Sequence, residues 1–277
     1  MKRIITPFAA ICLAALTFTA CKKNTVDVKS DEVSPSELAL ISHLGFSTED
    51  VKKVNDGYLV EGDILLNKNQ LNESPFSPNL IIAQEEQYRT FNLVSISKHP
   101  TIKVALNNSS TQHEAAFSAE LDEAISRYNS ENLQISFTRV SPSQSPDVTV
   151  VAYYQVSNTL GSAGFPNTAG DPYNQVQMNT YWYETGTDVT NVNYIGTIMA
   201  HELGHCIGFR HTDYMNRAYS CGGRRQNEGQ VKNGVGAVHI PGTPTGGDPN
   251  SWMLACVGSN VNRPFNSNDK TALNYLY

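Results

Sequence analysis

The sequence predicts an α/β (α+β) domain, and three observations carry that class. Ile102, Val104 and Leu106 recur at every second position, the period of a strand. Residues His113 to Asn129 then place Ala116, Phe117, Leu121, Ala124, Ile125 and Tyr128 at the spacing of one helix face. Further strand candidates at Leu133 to Val140, Asp147 to Tyr154 and Gln175 to Asn179 precede a second helix over Asn193 to Gly208. With 277 residues, the chain is long enough for one large domain, or for a domain of ordinary size with a smaller companion.

Taken in order, the chain begins with a targeting segment, residues 1–20. Lys2 and Arg3 open it, and Ile4 to Ala20 is an apolar run too short and too Thr-interrupted to span a membrane comfortably. It ends in Phe18-Thr19-Ala20-Cys21, which resembles a bacterial lipobox with Phe where Leu is commoner. Cys21 is therefore expected to carry lipid, the alternative being an ordinary signal cut near Ala20. Both readings send the protein out of the cytoplasm, to the cell envelope or beyond it.

Residues 21–86 are expected to form a tether and a small N-terminal region. Polar residues 22 to 36 have the composition of a flexible linker. Ser36 to Phe46 and Thr48 to Val54 read as short helices, and Tyr58 to Leu66 as a strand. Asn69 to Pro78, with two prolines, marks the boundary before a main domain over 87–277. Within that domain, residues 220 to 250 are Gly- and Pro-rich loop, and Ser267-Asn268-Asp269 caps a final helix. Outside the leader and Cys21, the thiols are Cys206, Cys221 and Cys256. In an oxidising compartment they suggest one disulfide, with Cys221 and Cys256 the pair and Cys206 a core residue.

The formal net charge is −6, and charges of both signs are scattered. No basic stripe exists for a nucleic-acid groove, so that class of partner is excluded.

The chemistry lies in His201-Glu202-Leu203-Gly204-His205-Cys206-Ile207-Gly208-Phe209-Arg210-His211, which fits H-E-x-x-H-x-x-G-x-x-H. Residues four apart on a helix share a face, so His201 and His205 can aim at one metal ion. Gly208 permits the left-handed conformation that ends a helix and brings His211 round to the same ion. Three imidazoles leave one tetrahedral position for water, the arrangement of a catalytic zinc. Glu202, beside the first ligand, is the expected general base.

These residues resemble the metzincin metallopeptidases, and in detail the dual-action HEIGH metallopeptidases, with Leu203 where that family has Ile. The resemblance runs from about Ile102 to the C-terminus. It implies a catalytic domain with a twisted mixed sheet, an active-site helix and a loop-rich lower subdomain, holding one zinc. It also implies a Met-containing turn, seen in Asn250-Ser251-Trp252-Met253, with Met253 packing beneath the metal. Gly161-Ser162-Ala163-Gly164-Phe165-Pro166 is similar to the family's upper-rim segment, whose edge strand pairs with substrate backbone. A zinc endopeptidase acting on peptide or protein substrates follows from the resemblance, with membrane contact through the lipid alone.

Some details depart from the family. Ala255 stands where some metzincins have a Tyr that reaches the zinc, leaving His239, Tyr214 and Arg210 as candidate oxyanion stabilisers. Asp213 is a candidate for a bond behind a ligand imidazole. Secreted metzincins often carry a propeptide Cys or Asp on zinc. No Cys occurs between residues 22 and 205, so Asp56 and Asp63 are the candidates. Asp147, Asp171 and Asp248 could contribute to a calcium site on loop context alone. Competing readings are a non-catalytic surface binding or adhesion lipoprotein on the same scaffold, and a zinc hydrolase of non-peptide substrates. Intact Glu202 argues against the first, and the segment from Gly161 against the second.

Overall fold

A computed structural model describes residues 32–55, 57–72, 87–107, 114–184, 192–229, 235–244 and 247–277. The leader, Cys21, the tether to residue 31, Asp56, residues 73–86 and His113 lie outside the described residues.

The chain enters through α1 (Pro35–His43), whose cap Ser34 and Glu37 exchange hydrogen bonds with each other's backbone. Helix α1 stops short of the predicted Phe46 because Gly45 takes a φ of 95°. The helix expected over Thr48 to Val54 is instead a turn followed by strand β1 (Lys52–Val54). Asp50 there has a φ of 54°, which a helix cannot hold, and β1 gains a backbone partner in β2 (Gly57–Val60). The single strand expected over Tyr58 to Leu66 is a hairpin, β2 turning into β3 (Ile64–Asn67). Glu61 and Gly62, with φ of 55° and 93°, make that turn and leave Asp63 at its exit.

The remaining elements are β4 (Tyr88–Arg89), β5 (Thr101–Asn107), α2 (Glu114–Asn129), β6 (Ser136–Val140), β7 (Val148–Tyr153), β8 (Gly161–Ala163), β9 (Gln175–Asn179), α3 (Tyr181–Glu184), α4 (Val192–Ile207), α5 (Ala218–Cys221), β10 (Val238–His239) and α6 (Ser267–Leu276). Eight strands form one mixed sheet in the order β1-β2-β3-β8-β9-β7-β5-β6, and β4 pairs with β10 in a separate ribbon. Strands β6, β5, β7 and β9 run parallel, each step across a helix or loop crossover. Strand β8 is antiparallel to β9 and parallel to β3. Strands β1 to β3 belong to the same sheet as the strands after residue 87.

Helices α2 and α4 pack against each other, and their apolar faces join the sheet in one core with Phe117, Leu121, Ile195, Leu203 and Met253. Arg127 of α2 ties the pair, donating to Thr197 Oγ1 at 2.9 Å, Asn193 O at 3.0 Å and Asn262 Oδ1 at 2.9 Å. A second cluster gathers Ile41, Phe46, Tyr58, Val60, Ile64 and Leu66 from α1 and the hairpin around Phe165. A disulfide joins Cys221 to Cys256, and Cys206 is buried within α4.

Candidate metal centre

Helix α4 is buried continuously from Tyr194 to Ile207, so its polar motif residues are carried into the core by an otherwise apolar helix. His201 and His205 share one face of it. At Gly208 the backbone adopts a φ of 110°, and a Cβ there would stand 3.0 Å from Asn92 O. The chain reverses at this point: Phe209 N bonds Gly204 O, and Arg210 N bonds Tyr88 O at 2.9 Å. His211 is thereby returned to the helix it has just left.

The three Nε2 atoms converge. His205 Nε2 lies 3.0 Å from His201 Nε2 and 3.2 Å from His211 Nε2. Each ring is oriented from behind by its Nδ1, which faces Trp252 O, Phe209 O and Glu228 Oε1 respectively, all at 2.8 Å. A carbonyl can only accept, so His201 and His205 each carry a proton on Nδ1, and in the neutral rings the two Nε2 lone pairs face each other. Two lone pairs at 3.0 Å repel, and a cation between them removes the conflict. The donor set therefore fits a metal ion, with supporting groups of the kind that set ligand tautomer.

A fourth ligand atom joins them. Asp63 Oδ2 is 3.0 Å from His211 Nε2 and 3.7 Å from His201 Nε2. The ligand atoms of Asp63, His201, His205 and His211 all lie within 4.8 Å of one another. Burial would raise the Asp63 carboxyl, but the charge on His211 and its hydrogen bond at 3.0 Å hold it well below the usual range. Burial and the neighbouring Asp63 push Glu202 well up. Burial and the two other imidazoles pull His205 well down, as suits a neutral ligand.

Glu202 is buried next to His201, and its Oε2 has no hydrogen-bond partner among the described residues. Gly161 makes room for it, since a Cβ there would meet Glu202 Oε1 at 2.8 Å. Met253 lies beneath the helix: a Cβ on Gly204 would come within 2.6 Å of its Sδ. The turn carrying Met253 also holds His201 through Trp252 O, and it accepts from Thr212 N, next to His211, at 2.9 Å.

Other sequence expectations resolve differently. Gly161, Ser162 and Ala163 form β8, but its pairing edge is taken by β3, with Ala163 N donating to Asp63 O at 2.9 Å. Gly164 packs against Tyr173, and Phe165 meets His205 edge-on with centroids 5.4 Å apart. Asp213 reaches no imidazole; it accepts from Ser220 Oγ at 2.6 Å and Ala255 N at 2.9 Å, bracing the Met253 turn. The residue behind His211 is Glu228 instead, from a loop whose sequence gave no sign of it. Arg210 pairs with Glu61, Tyr214 packs on Tyr88, and His239 bonds Thr243. Asp147 and Asp171 are both engaged by His99, while Asp248 holds Asn266 and Asn268 near α6. These three do not form a metal-ligating group among the described residues.

A cavity of about 130 Å³ opens beside the cluster, lined by Asp63, Gly161, Thr197, His201, Glu202, Arg217, Trp252 and Arg263 among others. Sequence reasoning passed over Arg217 and Arg263, which carry no motif.

Comparison with known proteins gives one family. The family described as dual-action HEIGH metallo-peptidase matches residues 58–277, from β2 to the C-terminus. No curated protein matches the chain significantly.

Proposed function

Because the chain belongs to the dual-action HEIGH metallo-peptidases, we propose that it is a zinc-dependent endopeptidase, exported and lipid-anchored at Cys21, with a closed resting form. The observation that carries the activity is the convergence of three Nε2 atoms next to a buried, unpartnered carboxylate on the same helix.

Zinc, when held by His201, His205 and His211, supplies a Lewis acid that acidifies water and polarises a peptide carbonyl. Everything else belongs to the chain. Glu202 takes the proton from the attacking water and returns it to the leaving amine, since one carboxylate can serve both steps. Glu228, Trp252 O and Phe209 O keep the three rings in the tautomer that binds metal. Phe165 shields the His205 face from solvent, and Met253 supports the helix from below.

The closed form rests on two contacts made by one hairpin. Asp63 Oδ2 lies among the three converging Nε2 atoms, where it would compete with water for a bound metal, and β3 takes the edge of β8 to which an extended peptide would add. Activity then requires that the hairpin yield. Of the two candidates for this position, Asp63 is the one at the cluster; Asp56 lies outside the described residues.

The test measures metal content and cleavage together. Purified protein is expected to bind one zinc and to cut a denatured protein, slowly as isolated and faster as Asp63→Ala. Chelator should abolish the cleavage and zinc restore it. Zinc binding with no cleavage of any denatured protein by either form would refute the peptidase reading and leave a binding role.

A further inference from the structure

The cavity beside Glu202 has a wall whose chemistry the mechanism does not use. Arg263 lines it together with Thr197, Ile198, Leu254, Cys256 and Val257. Arg263 N donates to Thr197 Oγ1 at 3.0 Å, and its Nη1 donates to Cys256 O at 2.9 Å. Thr197 stands one turn of α4 before His201, about 6 Å along the axis. The Arg263 side chain thus lines the same cavity as His201 and Glu202.

Its charge is uncompensated at close range. Arg263 makes no ion pair among the described residues, and one of its five guanidinium N–H groups is engaged. The acids whose fields reach it are Asp213, Asp269 and Asp248. All three are occupied: Asp213 by Ser220 and Ala255, Asp269 by Gln87 and Asn266, and Asp248 by Asn266 and Asn268. Arg217, also on the cavity wall, reaches Glu228 at 3.7 Å, beyond hydrogen-bond distance. Ile198, Leu254 and Val257 on the same wall lower the local dielectric, which strengthens whatever ion pair forms there.

We propose that this cavity receives an acidic side chain, Asp or Glu, of the substrate residue flanking the scissile bond, with Arg263 as the specificity-determining contact. The assignment rests on the peptidase reading, which supplies a scissile bond at His201 and Glu202. A carboxylate entering along α4 meets the planar donor fork of Arg263, a geometry suited to two parallel hydrogen bonds. The volume holds several waters that such a side chain would displace. A lysine or arginine in the same place would face two guanidinium groups and is excluded.

The test uses full-length Asp63→Ala protein loaded with zinc. A degenerate peptide library is cut and the sites are read by mass spectrometry, then matched peptides carrying Asp or Asn at the flanking position are compared. Asp or Glu should be enriched at one flanking position, and the Asp peptide preferred by about tenfold or more in kcat/KM, the size of one charge-assisted bond. Adding Arg263→Gln should bring that ratio to near one while the Asn peptide is cut within about threefold of its former rate. No acidic enrichment, or a ratio that survives Arg263→Gln, overturns the assignment. Should no peptide be cut at all, the peptidase reading fails separately. The cavity is then probed directly with N-acetyl-aspartate amide, followed by ligand NMR. Equal binding by the parent and Arg263→Gln proteins would overturn the assignment.

Discussion

Arg210 and Glu61 form an ion pair at 2.8 Å with both side chains almost wholly buried. The pair joins the residue next to His211 to the residue two before Asp63, so it fastens the hairpin at the point where it enters the metal cluster. Burial pushes the Glu61 carboxyl up, and the Arg210 guanidinium beside it pulls the other way. Glu61→Ala leaves a buried guanidinium without its partner, and the expected loss is about 3 kcal/mol of stability. The hairpin should also loosen, raising peptidase activity at temperatures where the protein is still folded. Urea unfolding and a cleavage assay on the same preparation check both halves. A destabilised variant with unchanged activity would mean that the hairpin does not gate the site.

Glu228 holds His211 from behind at 2.8 Å. Glu228→Ala removes that acceptor and leaves His211 free to turn, so zinc affinity is expected to fall about 10- to 100-fold. Competition against a chelator of known affinity measures it. Glu228→Gln still offers an oxygen to Nδ1 and should lose less. Equal affinities for the parent and the alanine variant would remove Glu228 from the site.

How much of this was legible in the sequence depends on chain separation. His201, Glu202, His205, Gly208 and His211 lie within eleven residues, and helix geometry alone places three of them. Gly208 could be read because a sharp return to the metal needs a positive φ, which only glycine adopts freely. Met253 was legible through the family resemblance and not through spacing. Glu228 was invisible, because nothing local marks which residue of a long loop will fold behind an imidazole. The hairpin was misread for a related reason. Glu61-Gly62-Asp63 interrupts the apolar run from Tyr58 to Leu66, and the pairing of Val60 with Ile64 across it shows the turn. Asp63 was one of two candidates for the fourth position, and its contact with His211 spans 148 residues.

Glu120 offers a test away from the site. Its side chain is buried in α2, and neither carboxyl oxygen has a hydrogen-bond partner among the described residues. Burial raises its pKa from 4.5 to about 7. The folded state therefore holds the proton more tightly than the unfolded state. The stability this supplies is full below about 4.5 and is lost as pH rises through about 7. Glu120→Gln cannot ionise, so its stability relative to the parent should improve between pH 5 and pH 8. Urea midpoints at the two pH values decide it, and parallel shifts in both proteins would contradict it.

The disulfide between Cys221, at the end of α5, and Cys256 closes a loop of 35 residues that carries Glu228, β10 and the Met253 turn. Loop-closure entropy puts its contribution at about 4 kcal/mol. Reductant should lower the melting temperature by several degrees and weaken zinc binding with it, since Glu228 and Trp252 both lie inside the loop. Calorimetry with and without reductant reports the first effect. An unchanged melting curve after complete reduction would show that the loop is held by packing alone.

The central claim is that Glu202 works as a base beside a metal held by three histidines, in a site that Asp63 keeps closed. Its most direct measurement compares zinc-loaded, full-length Asp63→Ala with the same protein carrying Glu202→Ala, on one denatured protein substrate. Both should bind one zinc, because Glu202 is not among the converging ligand atoms. The Asp63→Ala protein should cleave and the Glu202→Ala partner should be slower by at least about 100-fold, the scale of a lost general base. Equal cleavage by the two proteins would contradict the account.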